Sequence, residues 1–136
     1  MEYPLILQML VLLSSHCIGD FSLQTEFLSE YKSVNNIVLA IHCVIYTTAI
    51  MVGFIVCANI ENVNIHYVIK YSYMIFIFIS HFIIDYLKCK LIEGLEENYE
   101  LSDCEKDIAD TNIFYIDQIL HLIVIGIILT LFKLSF

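Results

Sequence analysis

Four histidines and three aspartates in this chain fall at helix-face spacing inside stretches that are otherwise apolar. His16 and Asp20, His81 and Asp85, and Asp117 and His121 are each four residues apart, and His42 stands four residues before Tyr46. Side chains at that spacing leave one face of a helix, one above the other, and can act on one point in space. Imidazole and carboxylate together form the nitrogen and oxygen donor set that suits Zn, Fe, Mn or Ni. His16, Asp20, His42, His81, Asp85, Asp117 and His121 are therefore the candidate ligands of a divalent metal, zinc first, then iron or manganese. Seven donors exceed what one tetrahedral zinc uses. Either two ions sit about 3.5 to 4 Å apart, or surplus residues orient the true ligands. Gln24, Tyr46 and Gln118 are candidates for that supporting or substrate-contacting role, although Gln118 leaves its helix about 100° from the face of Asp117. An ion held there lowers the pKa of its water toward about 7, which points to hydrolysis of an ester or phosphoester. Asp20 and Asp85 are the candidate general bases.

The elements that must hold these residues are membrane helices. Of 136 residues, 60% are hydrophobic and 15% charged, with a mean hydropathy of +0.81. A soluble domain of this size needs far less apolar surface. The length allows one domain, residues 1–136, since four spans of about 20 residues consume most of it. A net charge of −9 with no arginine argues against nucleic acid, whose binding rests on cations neutralising phosphates. Five cysteines form neither a C-x-x-C pair nor an even framework, and the four in or next to spans are expected to pack as small apolar residues. The apolar amino terminus lacks a basic n-region and a small-x-small cleavage site, so it is read as the first span.

The expected fold is all-α: a polytopic, antiparallel four-transmembrane-helix bundle with one long acidic loop between helices 3 and 4. The spans run roughly Tyr3 to Phe27, Asn36 to Ala58, His66 to Leu87 and Ile113 to Phe132. Ser15, Gly19 and Ser22 in the first and Ala49 and Gly53 in the second let backbones approach closely. A turn from Asn59 to Asn64 precedes the third span, and His66 is an interfacial residue at the end away from the site. In the connection Lys88 to Asn112, Ser102-x-x-Glu105 is a capping box for a short helix, Asp103 to Ala109, that serves as a surface lid. Asp110, Thr111 or Asn112 then caps the fourth span.

Alternating spans bring the pairs to a common level only if they fall late in spans one and three and early in spans two and four, as they do. At about 1.5 Å per residue their centres lie roughly 7 to 15 Å below one membrane face. Four lysines on the site side against two on the other place the site on the cytoplasmic side of a cell inner membrane. His16–Asp20 and His81–Asp85 are offset by the same 65 residues, which hints at two duplicated hairpins.

The strings His16-x-x-Gly19-Asp20-Phe21-x-Leu23-Gln24, His42-x-x-x-Tyr46, His81-Phe82-x-x-Asp85-Tyr86-x-Lys88 and Asp117-Gln118-x-x-His121 resemble a bacterial and phage family of small membrane proteins, domain of unknown function 3307. The resemblance spans nearly the whole chain and implies no activity. The pattern is also similar, more distantly, to membrane-bound metal-dependent hydrolases with His-x-x-x-Asp pairs in their spans. The leading expectation is thus a membrane-embedded hydrolase acting on a lipid-like ester or phosphoester, with the bilayer as its other partner. A metal-ion or proton transporter using the same residues is the second reading. It needs polar residues at both ends, whereas the far halves of spans two, three and four are nearly all apolar. A non-catalytic interaction protein with a structural polar core is the third. Lys32, Lys88 and Lys90 are read either as contacts for an anionic headgroup or as interface anchors.

Overall fold

The computed structural model describes residues 5–61, 71–97 and 100–133. Helix α1, Leu5–Cys17, is a leucine-rich run whose polar members Gln8, Ser15 and His16 are buried. Its end widens into a π turn, Ile18–Ser22, closed by the Leu23 N–H donating to the Ile18 carbonyl at 2.9 Å. The wider turn lets the consecutive residues Gly19 and Asp20 both be buried. The expected first span therefore ends early. Thr25 caps a separate short helix, α2, Glu26–Tyr31, by accepting the Leu28 N–H at 3.3 Å.

Asn35 opens α3, Asn36–Glu61, its Oδ1 accepting the Ile37 N–H at 2.8 Å. Helix occupies the start of the expected Asn59 turn; the rest of that turn and His66 lie outside the described residues. Helix α4, Tyr71–Glu96, runs well past the expected end at Leu87. Helix α5, Asp103–Lys133, absorbs both the expected lid helix and the fourth span. Its capping box forms as read: the Ser102 backbone N–H and hydroxyl donate to Glu105 Oε2 at 2.9 and 2.6 Å. The long loop is shortened from both sides, by α4 running on through Gly94 to Glu96 and by α5 starting at Asp103, and the separate lid merges into α5. No glycine or proline lies between Asp103 and Asn112, so nothing interrupts a helix that has already been nucleated.

Helix α3 packs against α1 and α4, and α5 against α4 and α1. Neighbours run antiparallel: Gly19 meets Tyr46 and Ala49, Gly53 meets Ser15 and Leu12, and Cys57 reaches the Gln8 carbonyl. Tyr73 to Leu131 and Lys88 to Asp117 fix the same sense for α4 and α5. The far end of the interior is mainly apolar, built from Leu12, Ile50, Phe54, Ile77, Ile125, Ile128, Leu129 and Phe132, with the buried Gln8 beside Cys57. The near end holds the histidines and aspartates.

Exposure is inverted relative to a water-soluble domain. Ile6 and Ile37 are 71% and 72% exposed, while His42, His81 and Asp85 are 1% or less. Three helical stretches, Leu5–Ser22, Asn36–Ile60 and Asp103–Lys133, are long and apolar enough to cross a membrane. At 31 residues, α5 is about 46 Å long and exceeds an apolar layer of about 30 Å, so its acidic first turns project beyond that layer.

Candidate metal centre

The π turn of α1, the first turns of α3, the middle of α4 and the middle of α5 deliver their polar side chains to one buried cluster. His42 Nε2 lies 3.3 Å from Asp20 Oδ1, 3.4 Å from Asp85 Oδ2 and 3.1 Å from His81 Nε2. His81 Nε2 lies 3.8 Å from Asp20 Oδ1 and 3.9 Å from Asp85 Oδ2. These four residues each offer one donor atom within 4.8 Å of the others. A tetrahedron with bonds of about 2.0 to 2.1 Å has edges of about 3.3 Å, so the separations suit an ion of zinc's size. Charge argues the same way. Two carboxylates repel at this range unless something positive lies between them or protons are shared around them.

A second group, Asp85, Asp117 and His121, shares Asp85 with the first. His121 Nδ1 donates to the Asp117 carbonyl at 2.8 Å, which turns the Nε2 lone pair inward to within 3.7 Å of Asp85 Oδ1. That Nε2 also meets His81 Nδ1 at 2.5 Å. Among the described residues, Asp117 Oδ1 is buried with no hydrogen-bond partner, as is His42 Nδ1.

His16 stands apart from both groups. The hydrogen bonds around it determine one another. Gln118 Nε2 donates to Asp20 Oδ2 at 3.3 Å and to Asp117 Oδ2 at 3.0 Å, since carboxylates only accept. Gln118 Oε1 therefore accepts from His16 Nε2 at 3.1 Å, and His16 Nδ1 accepts from the Tyr46 hydroxyl at 3.2 Å. Both nitrogens of His16 are thus taken, one by Gln118 and one by Tyr46. Tyr46 also stacks on His81, with ring centroids 3.7 Å apart and planes within 2°. Gln118, which the helix angle set off the common face, is thus central, because its long side chain reaches sideways across the gap between α1 and α5.

A family model described as "Protein of unknown function (DUF3307)" matches residues 8–136. The chain belongs to this family. The match takes in every residue of the cluster and carries no activity. No curated protein and no solved structure matches the chain.

Two lysines complete the site. Lys32 Nζ donates to Asp85 Oδ2 at 2.9 Å and to Gln24 Oε1 at 3.1 Å; Lys88 Nζ donates to Asp117 Oδ2 at 2.9 Å. Gln24 therefore acts through Lys32. Lys88 continues the helical stripe of His81 and Asp85 and was legible on that ground; Lys32 follows a short helix and carried no spacing signal. Both line a cavity of about 860 Å³ together with Asp20, Gln24, Tyr86 and Phe114. Among the described residues no cysteine joins either donor group.

Proposed function

We propose that the chain is a four-span, membrane-embedded, metal-dependent hydrolase of esters or phosphoesters. In this reading α4, Tyr71–Glu96, is the third span in chain order, beside the three helices long and apolar enough to cross a membrane. The observation that carries the reading is the four-donor set of Asp20, His42, His81 and Asp85 at tetrahedral spacing, with Asp20 also lining the cavity. His42, His81 and Asp85 would hold one divalent ion, zinc first, leaving the fourth position, beside Asp20, for water; Asp117 and His121 with Asp85 would hold a second. Such an ion supplies Lewis acidity and brings the pKa of water near 7. The chain's own groups do the rest. Asp20, which has neither lysine beside it, is the carboxylate placed to take a proton from an attacking water. Gln118 fixes its other oxygen, and Tyr46 holds the His81 ring plane.

A transport pathway would have to continue through Ile50, Phe54, Ile125, Leu129 and Phe132, which are buried apolar side chains that offer an ion no ligand atom. A one-sided site fits that core. The lysine side of the molecule faces the cytoplasm of a cell inner membrane in this reading.

Elemental analysis of detergent-purified protein tests the proposal directly. The wild type retains stoichiometric zinc, iron or manganese, and His81→Ala and Asp85→Ala lose it while keeping their helical circular dichroism. A wild type that stays metal-free after reloading overturns the metal centre. A loaded wild type that hydrolyses chromogenic esters and phosphoesters no faster than Asp20→Asn overturns the hydrolase.

A further inference from the structure

Asp85 Oδ2 has two claims on it. It is one vertex of the four-donor set, 3.4 Å from His42 Nε2 and 3.9 Å from His81 Nε2, and it is also the oxygen that Lys32 Nζ occupies at 2.9 Å. Lys88 holds the Oδ2 of Asp117, a member of the second group, and its ammonium would lie close to an ion bound there. An ammonium and a divalent ion cannot both hold a carboxylate oxygen at close range without strong repulsion. We propose that Lys32 and Lys88 are counterions that metal loading displaces into the cavity, where they hold the phosphoryl oxygens of a phosphoester substrate. This rests on the metal reading above and narrows its substrate class.

Charge balance favours the anion. At the cavity rim Lys90 is paired with Glu93, and Glu96 adds a negative charge; among the buried groups three carboxylates, Asp20, Asp85 and Asp117, face two ammoniums and leave one net negative charge with the imidazoles neutral. A divalent ion turns that into one net positive charge. These buried groups then attract an anion once the site is loaded, and a phosphoester offers the two freed ammoniums the anionic oxygens that a neutral carboxylic ester lacks. The lysines can make the move. Each has a flexible four-carbon stem, both line the 860 Å³ cavity, and Lys88 Nζ lies 5.2 Å from the centre of the Phe114 ring. Lys90 is excluded, because it is an exposed residue already paired with Glu93.

The test uses the full chain in detergent, metal-free and zinc-loaded with excess ion removed. Zinc affinity is measured by competition with a chelating dye. Inorganic phosphate and dihexanoyl phosphatidic acid are titrated by calorimetry, and each variant's fold is checked by circular dichroism. Loaded wild type is expected to bind phosphate at least about tenfold more tightly than metal-free protein. Lys32→Met and Lys88→Met are each expected to bind zinc about tenfold more tightly, yet to lose most of the gain in phosphate affinity. Lys106→Met, at a residue outside the cavity lining, changes neither. Tighter binding of phosphatidic acid than of phosphate assigns the anion to a lipid headgroup, and equal binding assigns it to phosphate alone; both support the phosphoester class. Zinc binding without any gain in phosphate affinity overturns this inference and leaves the metal centre standing. Unchanged zinc affinity in both lysine variants overturns the displacement. Failure of the wild type to load zinc removes the metal centre itself.

Discussion

Gln118 shows how much one side chain can carry in a dry interior. It donates to two aspartates and accepts from His16, so replacing it strips three buried groups of a partner at once. Gln118→Leu is expected to cost about 1 to 3 kcal/mol, read as a lower denaturation midpoint in detergent. Tyr46→Phe separates two roles of one residue. It removes the hydroxyl that His16 Nδ1 accepts from but keeps the ring stacked on His81. A loss of about 1 kcal/mol with unchanged metal content is the expected result, whereas Tyr46→Ala should cost about 3 to 5 kcal/mol through the cavity it leaves. Metal content falling in Tyr46→Phe would mean that the hydroxyl, and not the ring, positions the donors.

At the scale of the helices, the close approach of α1 and α3 sets the depth at which Asp20 meets His42. A Cβ at Gly53 would come within 2.4 Å of Ser15 Oγ and 3.0 Å of Ser15 Cβ. Gly53→Ala is therefore expected to push the helices apart and cost about 1 to 3 kcal/mol in thermal unfolding, with reduced metal retention as the donors separate. Gly94 in α4 has nothing within 4 Å of its virtual Cβ, so Gly94→Ala should be neutral or stabilising by up to about 1 kcal/mol. Equal effects of the two substitutions would show that helix propensity, and not interhelical contact, governs both.

For the whole molecule, metal and fold are linked. An ion that binds the folded state at 100 times its Kd adds about 2.7 kcal/mol. Zinc is expected to raise the unfolding temperature of the wild type and not of Asp85→Ala, measured by a thermal scan in detergent. Orientation is checked at Cys104, an exposed residue in the first turn of α5 near the cavity end. A membrane-impermeant maleimide should label it in inside-out vesicles and not in intact cells; the reverse pattern would put the site on the outer face.

Spacing along one helix is a property of the backbone period, so the chain's own order of residues determined the pairs His16/Asp20, His81/Asp85 and Asp117/His121, their common level, and the Ser102–Glu105 cap. The glycine contacts between α1 and α3 followed from small residues recurring on one face. Helix ends were less legible, because Asp110 to Asn112 have the chemistry of a cap and the stretch before them has no breaker; a nucleated helix simply ran through. Which side chains meet across helices depends on the rotation and tilt of each cylinder, and neither is written in a spacing. Only the tertiary structure could take His16 out of the donor groups, bring Gln118 among the carboxylates, and lay Lys32 and Lys88 against Asp85 and Asp117.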